Sequence, residues 1–141
     1  MIDITRLAEI REDNDISQEK MSAILGVKRS TYSLWELGIN IIPFNYLYNF
    51  AKHFNLSIDY VLGLTNDRIP IDYPPFDLKR IGNNLKEMRI QRGLSQASLG
   101  SSLQITQACI VRYEKGLICI STSNIYKYSK FFNVSINKII K

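Results

Sequence analysis

Lys28, Arg29, Ser30 and Thr31 stand in a row inside GVKRSTYSLWELG, the stretch from Gly26 to Gly38. Two cations followed by two hydroxyls offer either a solvated helix face or a set of donors for phosphates and base edges. The remaining reactive side chains narrow the field. His53 is the only histidine and has no ligand partner near it in sequence. Cys109 and Cys119 make neither a C-x-x-C metal pair nor a disulfide framework, and read as reduced structural thiols. There is no phosphate-binding Gly loop, no His-Cys or His-carboxylate cluster and no nucleophile elbow. The reading is therefore not an enzyme, with no metal and no cofactor.

The elements that would position these residues are helical. Leu78, Ile81, Leu85 and Met88 recur at three and four residues, as do Ile4, Leu7 and Ile10. A second helix starts after Ser17 or Ser95, whose hydroxyls can cap free N–H groups, and runs to Leu25 or Leu103. Gly26 supplies a left-handed residue that stops it, and Val27 anchors the turn. A third helix is predicted from about Arg29 to Leu37 and from Gln107 to Lys115, closed by Gly38 and Gly116. Pro43 is expected in the first turn of a fourth helix, with Ser121 or Ser123 capping its counterpart. Short last helices follow in NLSIDYVLG and NVSINKIIK, and no strand-like alternation competes.

These paired expectations arise because residues 7–63 align without a gap on residues 85–141, at a constant offset of 78. Identities include Arg11/Arg89, Ser17/Ser95, Gln18/Gln96, Leu25/Leu103, Glu36/Glu114 and Gly38/Gly116. The organisation expected is a first domain over 1–65, a Pro-containing linker over 66–76 and a second domain over 77–141. The three prolines of NDRIPIDYPPF remove backbone donors and favour extended neighbours. A content of 45% apolar residues is that of a folded chain, and no run approaches a membrane span. The start MIDITRLAEIRED carries acids where a signal peptide has cations, so the chain reads as cytoplasmic.

Two short helices joined by a tight turn and wrapped by three others is the arrangement that lets the second helix enter a DNA major groove. SQEKMSAILGVKRSTYSLWELG and SQASLGSSLQITQACIVRYEKG each resemble the helix-turn-helix of the Xre-like regulators, the group of phage Cro and repressor proteins. The resemblance implies an all-α chain of two tandem five-helix, lambda-repressor-like domains. It implies that Gln18 and Gln96 bind phosphate and brace helix three. It places the groove-facing positions on Lys28, Arg29, Ser30, Ser33 and Leu34, and on Thr106, Gln107, Ala108, Val111 and Arg112. Arg or Lys suits guanine O6 and N7, Gln suits adenine, and Ala, Val or Leu suits a thymine methyl. Arg11 with Glu36, and Arg89 with Glu114, are implied to be buried structural ion pairs. Trp35 and Tyr113 are read as half-buried core residues that seat helix three, and His53 as a core or boundary residue.

Two departures from the family pattern stand out. Gln104 replaces the turn glycine of the first copy, where a left-handed non-Gly residue costs about 1 to 2 kcal/mol. The loops GINIIPF and GLICIST after helix three are apolar where relatives often carry cations; exposed, they suit association, and otherwise they fold under helix four.

Residues 1–68 hold seven Lys and Arg against nine Asp and Glu, whereas 69–141 hold eleven against four. Because phosphate attraction supplies most non-specific affinity, the second copy is expected to be the stronger DNA-binding half. The function expected is a sequence-specific double-stranded DNA-binding regulator, a repressor, acting as a homodimer or as an intramolecular pseudo-dimer. A linker of about a dozen residues spans at most roughly 40 Å, against half-sites about 34 Å apart. The alternative from another class is a protein-interaction module of antitoxin type that neutralises a partner protein. Such modules usually carry a toxin-wrapping tail, and the repeat here closes at Lys141. No membrane partner is expected, and residues of this kind do not name an effector.

Overall fold

The computed structural model describes residues 2–141, and among them every regular element is an α-helix. The chain divides into two compact units, Met1–Asp72 and Tyr73–Lys141. Unit 1 holds α1 (Thr5–Asp13), α2 (Gln18–Leu25), α3 (Arg29–Glu36), α4 (Phe44–His53) and α5 (Ile58–Val61). Unit 2 repeats the order with α6 (Leu78–Gln91), α7 (Gln96–Leu103), α8 (Gln107–Glu114), α9 (Thr122–Phe132) and α10 (Ile136–Ile139).

Polar caps mark most of the starts. The N–H of Lys20 donates to Ser17 Oγ at 3.1 Å, that of Ser98 to Ser95 Oγ at 3.0 Å, and that of Asn124 to Ser121 Oγ at 3.1 Å. Each such cap satisfies a donor that the helix itself leaves unpaired, and its removal typically costs about 1 kcal/mol. Pro43 is not in the first turn as expected: with φ −60° and ψ 149° it is the extended residue that precedes α4. Its fixed φ still directs the chain into the helix.

Each unit closes on its own apolar centre. Leu7, Met21, Leu47 and Ile58 are fully buried in unit 1, and Ile81, Leu99, Ile125 and Ile136 are 2% exposed or less in unit 2. Side chains of this size contribute about 1.5 to 3 kcal/mol each when taken out of water. Among Leu78, Ile81, Leu85 and Met88, the middle two are buried and the outer two half-buried.

The two first helices differ in length. α6 starts at Leu78, whereas the position matching Ile81 in the first copy is Asp3, ahead of α1. The added turn lies directly on the end of α8. A Cβ on Gly82 would stand 2.3 Å from the Tyr113 carbonyl oxygen, and one on Gly116 would stand 2.8 Å from Lys79 Cα. Backbone meets backbone there, and only glycine leaves the room. Between the last helix of unit 1 and Asp77, which caps α6 through the N–H groups of Lys79 and Arg80, the Ile71 N–H donates to the Asn55 carbonyl.

Candidate nucleic-acid interface

The turn between α2 and α3 is made by one left-handed residue, Gly26 at φ 77°. Gln104 takes the same conformation in unit 2 at φ 56°, so the turn keeps its shape and the side chain carries the strain. The third helices then begin differently. Lys28 precedes α3 without a side-chain cap, whereas Thr106 Oγ1 accepts from the Cys109 N–H at 3.2 Å. Thr106 is thus a cap as well as a groove-facing candidate.

Burial divides each third helix into two faces. Tyr32 and Trp35 are buried in α3, and Ile110 and Tyr113 in α8. Lys28, Arg29 and Ser30 are exposed, as are Thr106, Gln107, Ala108 and Arg112. Ser33, Leu34 and Val111 are half-buried at the edge of that face. Gln18, Arg29, Ser30 and Ser33 line one open surface depression, which joins the start of α2 to the outer face of α3.

A polar cluster fixes the angle at which the third helix is presented. Arg11 Nε donates to Glu36 Oε2 at 2.7 Å and its Nη2 to Oε1 at 3.0 Å, while Gln18 Nε2 donates to the same Oε1 at 2.9 Å. Arg11 Nη1 also donates to the Ile16 carbonyl at 2.8 Å. Unit 2 repeats every bond: Arg89 to Glu114 at 2.7 and 2.9 Å, Gln96 to Glu114 at 3.1 Å, and Arg89 to the Leu94 carbonyl at 2.8 Å. The guanidinium meets the carboxylate through two parallel bonds, the geometry in which such pairs are strongest. Helix one, the start of helix two and the end of helix three are thereby tied at one point.

Electrostatics agree with that arrangement. Burial works to raise the Glu36 carboxyl, but the hydrogen bonds from Arg11 and Gln18, with the Arg11 charge, prevail and hold it below its ordinary value. Arg11 and Arg89 are pushed up, first by their hydrogen bonds to Glu36 and Glu114. Burial is the main reason that the Tyr32 and Tyr128 hydroxyls are pushed far up, with the nearby glutamate adding to it in each case. These glutamates hold the fold in place; each is occupied by three donors from its own unit.

Several contributing residues escape inspection of the sequence. The phenol beside the ion pair comes from α3 in unit 1, as Tyr32, but from α9 in unit 2, as Tyr128; the matching positions are Ile110 and Phe50. Trp35 packs on Tyr46 with ring centres 5.3 Å apart, whereas at the matching positions Asn124 Nδ2 donates to Tyr113 Oη at 2.8 Å. Arg6 donates to the carbonyls of Tyr60 and Thr65, and its counterpart Asn84 donates to those of Ile139 and Lys141. Both clasp the end of the unit to the first helix. For the aromatic exchanges, the paired differences between the two copies at the 78-residue offset were the available signal.

The loops after the third helices split between the two fates expected of them. Ile42 and Ile120 fold inward at 1% and 2% exposure, but Ile39 and Leu117 remain 66% and 65% exposed. His53 is not a core or boundary residue: it is exposed, with its ring set edge-on against Phe54. Among the described residues no group of three or more His, Cys, Asp or Glu side chains could hold a metal ion, and no helix is long and apolar enough to cross a membrane.

Two five-helix units, each presenting a polar third helix braced by the same ion-pair cluster, define a tandem helix-turn-helix protein. A helix-turn-helix family model matches residues 7–61 and again residues 85–139, so the chain belongs to the Xre-like helix-turn-helix family and carries the domain twice. It is 31% identical over 65 residues to the uncharacterized HTH-type transcriptional regulator YobD of Bacillus subtilis (strain 168), a match covering 46% of this chain and 58% of that protein. Among solved structures, the restriction-modification controller protein C.AhdI from Aeromonas hydrophila is 26% identical, with 44% of this chain and 94% of that one covered and a TM-score of 0.42.

Proposed function

We propose that the chain is a cytoplasmic, sequence-specific double-stranded DNA-binding transcriptional regulator that represses by occluding a promoter. The observation that carries this reading is the repeated Arg–Glu–Gln cluster, because it holds in each unit an exposed polar helix face at a fixed angle to the rest of the fold. Preorganised donors of this kind suit base edges, since no side chain has to be ordered from a mobile loop on binding. Arg29 and Arg112 supply guanine-type donors, Gln107 an adenine-type pair, and Ala108 and Val111 apolar surface for thymine methyl groups. Lys28, Ser30, Ser33 and Thr106 complete the groove-facing sets, and Gln18 and Gln96 contact phosphates at the helix-two starts. The two units act either within one chain as a pseudo-dimer or across a homodimer.

Selection of a random duplex library on the purified protein at near-physiological salt tests the reading. It is repeated with Arg29→Ala and with Gln107→Ala plus Arg112→Ala. The expected result is an enriched motif that relaxes at different bases in the two variants, with half-sites about 34 Å apart. Absence of enrichment, or binding indifferent to both variants, would reject it.

A further inference from the structure

The two ion-pair clusters are alike inside and unlike outside. In unit 1, Glu12 follows Arg11, and its Oε1 lies 3.4 Å from Arg11 Nη2, with 67% of the Glu12 side chain exposed. Asp13, Asp15 and Glu19 are also exposed nearby in sequence, flanking Gln18 on both sides. The matching residues of unit 2 are Ile90, Gln91, Gly93 and Ala97, none of them acidic. Arg89 keeps the inner half of the arrangement, its bidentate pair with Glu114, and is followed by an Ile that is 50% exposed.

We propose that Glu12 takes the place of a DNA phosphate on the outer side of the unit 1 cluster, making unit 1 an attenuated reader and unit 2 the anchoring one. This rests on the DNA-binding reading above. Gln18 opens an eight-residue helix, where free N–H groups and the helix dipole favour an anion. Arg11 shares Glu36 Oε1 with Gln18, so an anion seated on Gln18 lies beside the outward N–H of Arg11. Glu12 already occupies that donor. A carboxylate oxygen offers the guanidinium the same charge-assisted acceptor as a phosphate oxygen, at the cost of no immobilised partner. A phosphate arriving there must displace Glu12 and then sit close to it. In unit 2 the same approach meets Arg89 and Gln96 without a competing carboxylate at position 90.

The selected duplex is titrated with full-length protein by fluorescence anisotropy at several salt concentrations. The variants are Glu12→Gln, Ile90→Glu and, as a charge control outside the cluster, Asp67→Asn. Glu12→Gln is expected to tighten binding on the order of five-fold at low salt, the size of one contact between unit charges in water. It should also steepen the dependence of log affinity on log salt by about 0.9, one added phosphate contact. Ile90→Glu should weaken binding by at least as much. Unchanged affinity and slope in Glu12→Gln would overturn the proposal, as would an equal gain in Asp67→Asn. A wild-type chain that bound no duplex at all would instead remove the DNA-binding reading on which it rests.

Discussion

Replacing Glu114 by Ala removes the carboxylate from the middle of the unit 2 cluster, and the loss can be sized from the bonds it makes. Arg89 loses two hydrogen bonds of 2.7 and 2.9 Å and Gln96 loses one of 3.1 Å. Arg89 keeps only its bond to the Leu94 carbonyl among those described for it, yet its side chain is just 12% exposed. A buried charge left without its partner costs about 3 to 5 kcal/mol. For a unit of roughly 70 residues the whole stability is of order 3 to 10 kcal/mol. The variant should therefore bring unit 2 near its unfolding threshold, with a melting transition lower by about 12 °C or more. Calorimetry of the full chain, with amide exchange assigning the transition to residues 73–141, reads the effect directly. Glu114→Gln should recover part of it, since an amide oxygen still accepts from Arg89. The double variant Arg89→Met with Glu114→Leu should be far milder than Glu114→Ala, because neither half is then an orphaned charge. A fall of only a degree or two in Glu114→Ala would refute the structural role assigned to the pair.

Three further outcomes follow from the same geometry. Glu36 is held below its ordinary carboxyl value of 4.5, so the folded state binds fewer protons than the unfolded chain; that stability is present above about pH 4.5 and is lost as pH falls through the lower folded value. Acid titration of unit 1 unfolding should show this limb in the wild type and lack it in Glu36→Gln, and identical curves would reject the assignment. Gly82→Ala puts a Cβ 2.3 Å from the Tyr113 carbonyl oxygen, and should lower the urea midpoint of unit 2 by the equivalent of about 1 to 3 kcal/mol without moving that of unit 1. Gln104→Gly should stabilise unit 2 by up to about 1 kcal/mol and Gly26→Ala should destabilise unit 1 by a similar amount, measured by the same melts.

How much of this could be read in advance depended on whether the cause was local. Helix starts at Ser17 and Ser95, and the left-handed stop at Gly26, follow from one residue and its neighbours, and the structure has them where the sequence puts them; of the two caps that the sequence offers for α9, Ser121 and Ser123, the structure uses Ser121. Pro43 was displaced by one position because φ near −60° suits both the residue before a helix and its first turn. The loops resisted because hydrophobicity does not say which of several neighbouring apolar residues turns inward; Ile42 does and Ile41 does not. His53 misled for a related reason, since alignment with Phe131 suggests burial, yet Phe131 itself is 37% exposed. The Arg6 and Asn84 clasps lay beyond reach because their acceptors are carbonyls more than 50 positions away, which carry no residue signature.

The two units show which positions physics constrains and which it leaves open. Arg and Glu of the cluster are the same in both, since losing either strands the other as a buried charge, and the Gln that donates to the same carboxylate is the same as well. The apolar and aromatic packing around them has been solved twice in different ways. Tyr32 with Phe50 becomes Ile110 with Tyr128, and a Trp–Tyr contact becomes a Tyr–Asn hydrogen bond. The first exchange moves the buried hydroxyl from α3 to α9, and the second replaces a ring contact by a hydrogen bond between smaller side chains. The outer face of helix three has no such restraint, and there Lys28, Arg29, Ser30, Ser33 and Leu34 stand against Thr106, Gln107, Ala108, Val111 and Arg112 with no identity at all. Under the proposed function, two helices this different require unlike base patterns: cation-rich in one, amide, apolar and a single guanidinium in the other. One chain acting alone then matches a site whose halves differ. Two chains matching a palindrome must instead use the same unit twice, and the unit without a carboxylate at the position of Glu12 is the one whose phosphate contacts come at lower electrostatic cost.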